Sequence, residues 1–438
     1  MKKTPLIIFS AISLLLLQAC GGGGGDGASG TPVTPSSLAI SSLPRDTAPN
    51  VPAPDTAALV AGNTAFATDL YATLRNDTTF ANKNLFFSPY SISEAFVMTY
   101  AGARGTTASE LQATMHFTLP DARLHAAFGA LDLALASPPP TADGQAPFTL
   151  RVANSMWCEQ TTHFQQPFLD TLAVNYGAGV RLVDFKNAPD PARITINDWV
   201  AEQTDNKILN LIPKGNIDNL TRLVLTNAVY FKGSWSMPFP EQATADGTFH
   251  AVSGDTVTKM MKQQLTAPYG AGNGWRAIAL PYDGGLTFTA ILPDNLATFE
   301  SSLNPATLTN INHSLAPTLV ELTMPKFTIP GTTFSLKDAL KTLGTTTIFS
   351  DQANLTGITT DKPSLLVTDA VHQAFISVDE KSTEAAAAIG VIIGDWSLVV
   401  PSSPPEPVIL TLDKPFIFFI SDSATGAIIF LGRYVDGH

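Results

Sequence analysis

The sequence predicts an α+β fold with large, mainly antiparallel sheets and a cluster of helices. Helical periodicity fills the first half of the chain, while apolar and alternating runs fill the second. No Pro/Gly/Ser-rich break divides the globular part, which is expected to run from 56 to 438 as one domain. A third observation is local: an alanine-rich stretch, Glu384 to Ala388, lies between two predicted strands rather than inside a helix.

Before the globular part the chain reads as a leader and a tether. Lys2 and Lys3 precede an apolar run from Leu6 to Leu17, short for a membrane span, which ends in Leu17-Gln18-Ala19-Cys20. Residues 1–19 are read as a signal peptide, and the Leu-x-Ala-Cys ending resembles the lipobox of bacterial lipoproteins. That resemblance implies lipidation of Cys20 and a location on the bacterial cell envelope, facing the periplasm or the exterior. An ordinary signal peptide with an incidental cysteine is the alternative. Residues 20–55 open with five glycines and continue in Pro, Ser, Thr and Ala. So few large apolar groups cannot offset the entropy of ordering, which predicts a flexible linker.

In the globular part, Leu59, Phe66, Leu70 and Leu74 recur at helical spacing. Ser88-Pro89 predicts a second helix, with Ser as cap and Pro in the first turn. Thr107 and Glu110 fit a capping box for a third, and 121–135 reads as a fourth. A strand over 148–157 precedes helices over 164–176 and 194–204. Strands dominate afterwards. The near-continuous apolar run 223–231 predicts a central strand covered on both faces. Further strands are expected over 277–280, 286–292, 319–329, 365–378, 408–412, 416–420 and 427–431.

Composition argues against several function classes. A net charge of −12 with scattered Lys and Arg argues against nucleic-acid binding. Gly-x-Ser-x-Gly, His-Glu-x-x-His, Walker and Cys-x-x-Cys patterns do not occur, and the seven histidines are spread singly. No metal or cofactor is expected. The glycine-rich Gly270 to Gly274 reads as a loop. After processing, Cys158 would be the only cysteine, so no internal disulfide is expected.

The segment 381–407 carries the functional signal. A Thr-Glu pair before alanines would start a helix by propensity, but the continuation Ile389-Gly-Val-Ile-Ile-Gly394 is β-branched, and prolines follow. A connection this long in a compact domain is usually functional. Read with period two, one face is Thr383, Ala385, Ala387, Ile389, Val391 and Ile393. Such a loop can become a buried strand without clashing.

The run Val378-Asp-Glu-Lys-Ser-Thr-Glu-Ala-Ala-Ala-Ala388 resembles the hinge of the serpin reactive-centre loop. Asn84 to Ile92, Gly102 to Thr107, Thr226 to Trp235, Leu280-Pro-Tyr282, Met324 to Phe327, Lys414 to Ile420 and Gly432-Arg433 are similar to serpin motifs in the family's order. The resemblance implies a serpin fold with an exposed reactive-centre loop, acting as a monomer and as an inhibitor rather than an enzyme. Its partner would be a serine protease, or a cysteine protease, that attacks a bait bond. The freed hinge then inserts into the main sheet and the acylated protease is trapped.

By the same resemblance the hinge comprises Glu380, Thr383, Glu384, Ala385, Ala386, Ala387 and Ala388. Counting about sixteen residues from Glu380 places the bait bond at Trp396-Ser397, with Asp395 and Leu398 as fallbacks. A bulky Trp396 implies a chymotrypsin-like or subtilisin-like target. Ser88, Ser91, Asn227 and His372 match the shutter, where central strands part; Trp235 and Glu380 match the breach, where insertion begins. Ser382 stands where many inhibitory relatives have glycine, so a non-inhibitory binding module stays open as the alternative.

Overall fold

The computed structural model describes residues 37–138, 148–362, 364–381 and 406–437. The chain begins with β1 (Ser37–Ala39), α1 (Ala53–Leu74), β2 (Leu85–Phe87), α2 (Pro89–Tyr100), α3 (Gly105–Thr114) and α4 (Asp121–Ala136). Next come β3 (Phe148–Glu159), α5 (Gln166–Tyr176), β4 (Val180–Val183), α6 (Pro189–Gln203) and β5 (Leu223–Gly233). The strand-rich part holds β6 (Ala245–Ala251), β7 (Gly254–Gly272), β8 (Trp275–Pro281) and β9 (Leu286–Pro293). It continues through α7 (Leu296–Ser302), α8 (Pro305–Ser314), β10 (Ala316–Pro325), β11 (Phe327–Ile329), β12 (Phe334–Ser335) and α9 (Lys337–Thr342). The last strands are β13 (Asp369–Val378), β14 (Val408–Thr411), β15 (Phe416–Asp422) and β16 (Ile428–Tyr434).

Among the described residues these strands make two sheets. The first runs β1-β4-β3-β5-β13-β11, with β12 also on β13. The second runs β14-β10-β7-β8-β9-β15-β16-β2, with β6 on β7. Pairing is mainly antiparallel; the exceptions are β3 with β4, β10 with β14, and β5 with β13. Both faces of the first sheet are covered along β5. The main core lies on the α2 side, while α6 and the segment after it pack Trp157, Val224, Ala228 and Val371 against Ile196, Val200 and Ile212. A strand buried on both faces reads as an unbroken apolar run, and β5 does so.

Several expectations are corrected in detail. The described structure reaches back into residues read as linker. Ser37–Ala39 adds an edge strand to β4, Ser41 Oγ donates to Asp170, and α1 starts at Ala53 with Pro54 in its first turn. The capping box at Thr107 and Glu110 does not form, since α3 starts at Gly105 without a side-chain cap. Thr107 Oγ1 instead accepts the Asn354 amide at 2.9 Å, and the Glu110 carboxylate accepts the Thr346 and Thr347 amides at 2.8 and 2.7 Å. The same chemistry is spent on a distant turn. The helix expected at 194 starts at Pro189, and the strand expected at 365 starts at Asp369. Gly270 to Gly274 closes the β7–β8 hairpin.

Candidate functional site: the seam between β5 and β13

A polar row, buried at Asn227 and His372 and half-buried at Asn154, crosses the first sheet. Asn154 on β3 is in register with Asn227 on β5, and Asn227 with His372 on β13. Beneath the row lies α2, whose first turn is set by Ser88: its Oγ accepts the Ser91 amide at 3.1 Å, and Pro89 follows at a position needing no amide hydrogen. Ser88, Ser91, Asn227 and His372 are at most 1% exposed. The structure brings these four sequence-predicted residues together.

The hydrogen bonds fix one direction through the row. The Ser88 amide donates to His372 Nε2 at 3.3 Å, so the other ring nitrogen, Nδ1, carries the proton and donates to Asn227 Oδ1. Asn227 Nδ2 donates to Ser91 Oγ at 2.7 Å and to Asn154 Oδ1. Asn154 Nδ2 donates to the Ser91 carbonyl at 3.0 Å and to Glu94 Oε2 at 2.7 Å. Burial pushes the His372 pKa down to about 3, so the imidazole is neutral and fits its acceptor role. Asn154 and Glu94 were missed by sequence reasoning. The first stands on a strand that also carries Thr149, Arg151 and Ser155, so nothing in the sequence set it apart. The second sits one helical turn after Tyr90 and could only be paired once β3 was placed.

At one end of the same two strands lies a second cluster. Trp235 stacks on Tyr282 with ring centroids 4.2 Å apart, and its Nε1 donates to the Asp379 carbonyl at 2.8 Å. Gly233 ends β5 beneath it. A Cβ there would lie 2.6 Å from Phe231 and 2.8 Å from Tyr282, so only glycine passes between the rings. Glu380, 8% exposed, pairs with Lys326 Nζ at 2.7 Å, and its carbonyl accepts the Phe239 amide at 2.9 Å. Burial opposes ionisation of Glu380, but hydrogen bonds, that from the Lys326 ammonium first, together with the Lys326 charge hold the carboxyl below its ordinary value. Trp235, bonded to Asp379, and Glu380, the next residue, thus lie together at the exit of β13, with Tyr282 and Lys326 beside them. Lys381 follows and pairs with Glu241 at 2.9 Å.

Thr383, Glu384, Ala385, Ala386, Ala387 and Ala388 of the hinge, the bond Trp396-Ser397 and Cys20 lie outside the described residues. Among the described residues no group of His, Cys, Asp and Glu could hold a metal, and no helix is long and apolar enough to cross a membrane. Cys158 is fully buried, and desolvation pushes its thiol up to about 12, so it is unreactive.

The geometry that decides the reading is the β5–β13 ladder. It runs parallel from Val224 opposite Asp369 to Phe231 opposite Ile376, with no strand between them. A sequence model of the serpin (serine protease inhibitor) family matches residues 61–437. The chain belongs to the serpin family. This serpin is 36% identical to the leukocyte elastase inhibitor of Bos taurus over 86% of this chain and 98% of that one. An uncharacterized serpin-like protein of Thermococcus kodakarensis is also 36% identical, over 85% of this chain and 84% of the relative. Among solved structures, uncleaved ovalbumin matches at TM-score 0.76 and 25% identity, over 86% of this chain and all of that one. The thermophilic serpin Tengpin in its native state matches at 0.78 and 23% identity, over 92% and 100%, a likeness of fold alone. The family is one of protease inhibitors rather than catalysts, and some of its members are non-inhibitory.

Proposed function

We propose that this serpin inhibits a serine protease by suicide-substrate trapping, with cleavage at Trp396-Ser397 followed by strand insertion between β5 and β13. The observation that carries this reading is the parallel pairing of those strands. A chain that leaves the end of β13 at Glu380 and turns back between two parallel strands runs antiparallel to both. One parallel ladder is exchanged for two antiparallel ladders, a gain in backbone hydrogen bonds and in per-residue stability. The face Thr383, Ala385, Ala387, Ile389, Val391, Ile393 supplies apolar burial in the process. About 16 residues at about 3.3 Å each give on the order of 50 Å of travel, enough to carry a bound protease the length of the sheet. The intact form is then kinetically rather than thermodynamically favoured.

The bulk of Trp396 fits the pocket of a chymotrypsin-like or subtilisin-like protease. Incubation with chymotrypsin should give a complex that survives SDS. Cleavage without that complex would overturn the trapping reading and favour the non-inhibitory binding module, the alternative supported by Ser382. The leader and Cys20 support an envelope lipoprotein that acts as a monomer at the cell surface or in the periplasm. Cys20→Ser should shift the protein from the membrane fraction to the soluble fraction.

A further inference from the structure

The polar row across the β5–β13 seam has an end that the trapping mechanism does not use. Donors run from the Ser88 amide through His372, Asn227 and Asn154, and stop at Glu94, a carboxyl 5% exposed on α2. Glu94 Oε2 receives Asn154 Nδ2 at 2.7 Å, and Oε1 lies 3.2 Å from the Tyr90 hydroxyl. Among the described residues no cation lies within salt-bridge distance of it; Arg45 acts on it only from further away. The charged and titratable groups around it come from three helices and the segment before α1. Tyr90 is on α2 itself, Asp132 and His125 are on α4, and Tyr176 is on α5. Arg45, from the segment before α1, is paired with Asp132. The surroundings therefore offer hydroxyls, an amide and another acid, and the one nearby guanidinium is held by Asp132.

We propose that Glu94 is a positioning residue that makes the closed seam proton-dependent: the protonated carboxyl keeps the row intact, and its ionisation favours parting of β5 from β13. The inference rests on the trapping reading for its biological meaning, but its physics concerns the intact protein alone. Asn154 and Tyr90 both donate to the carboxyl and so favour its ionised form, but a buried carboxylate with no cation beside it and Asp132 nearby costs more than those two bonds return. Burial first and Asp132 second push the Glu94 pKa up to about 8, so the group is neutral below mildly alkaline pH. Parting the strands necessarily breaks the His372–Asn227 bond, which spans them. It also admits water to the row, and a hydrated Glu94 ionises at a lower pH than a buried one. Opening is then linked to proton release. It becomes easier as pH rises toward about 8, by at most about tenfold per pH unit, and levels off above.

The test is amide exchange of the intact protein without protease, followed by mass spectrometry on peptides covering β5 and β13, with chemical exchange rates corrected at each pH. In the wild type the opening constant should rise severalfold from pH 6.5 to 8.5. In Glu94→Gln, which mimics the neutral acid, it should stay flat. Parallel pH profiles in the two proteins would overturn the proposal. If Glu94→Gln does not fold, the carboxyl of the wild type is read by infrared difference spectroscopy: a protonated band at pH 6.5 that is lost by pH 9 is expected, and an ionised carboxylate at pH 6.5 refutes the inference. Neither readout depends on whether a trapped protease complex forms, so failure of the inhibitor reading and failure of this one remain distinguishable.

Discussion

Trp235 donates its indole Nε1–H to the backbone carbonyl of Asp379 at 2.8 Å, so a ring just past the end of β5 holds the chain just past the end of β13. Any strand entering the seam from Glu380 must pass this bond. Trp235→Phe keeps an aromatic ring over Tyr282 and removes the donor. The intact protein should lose about 1–2 kcal/mol in urea unfolding, and it should convert spontaneously to the inserted form faster. Wild-type stability and conversion rate in the variant would mean that the bond does not hold the entrance.

His372 gives the fold an acid limit. Its folded pKa, about 3, lies below the ordinary value of 6.5, so the folded protein refuses a proton that the unfolded chain accepts. Above pH 6.5 the ring is neutral in both forms and its contribution is complete. As pH falls from 6.5 toward 3, stability should drop by up to about 1.4 kcal/mol per pH unit. Urea titrations of His372→Gln should lack this component of the slope. An equal slope in both proteins would assign the acid sensitivity elsewhere.

Specificity should follow the bait residue. Trp396→Arg is expected to weaken trapping of chymotrypsin by at least tenfold and to create trapping of trypsin, read as SDS-stable complexes at equal stoichiometry. Chymotrypsin inhibition that survives the change would move the bait bond to Asp395 or Leu398.

Cleavage should make the protein more stable. Filling the seam adds a ladder on each side, so protein cut in 382–405 should melt well above the intact form in calorimetry. Equal melting temperatures would mean that the intact form stores no energy, and the inhibitor reading would fall although the fold stands.

How far these features could be read from the sequence depended on how local their causes are. The β5 run and the Ser88-Pro89 helix start are local patterns and were legible. The hairpin of β6 and β7 was not. Its strands bury little beyond Phe249, Met260, Met261, Leu265 and Ala267, so no apolar period marks them. The Thr107–Glu110 pattern was misread because the residues that make a capping box also cap a turn more than two hundred positions away. Within the site, Asn227 and His372 could be matched to family motifs. Asn154 and Glu94 could not, since their partnership across sixty residues exists only when β3 lies on α2.

The placement of β15 has one more consequence. It lies between β9 and β16, with Phe416 to Ile420 fully buried, and β16 in turn pairs with β2 near the start of the chain. A cut at Trp396-Ser397 would separate these last strands covalently but leave them wedged in the middle of a sheet. The nicked molecule should elute from a sizing column as a single particle, and its two pieces should come apart only in denaturant.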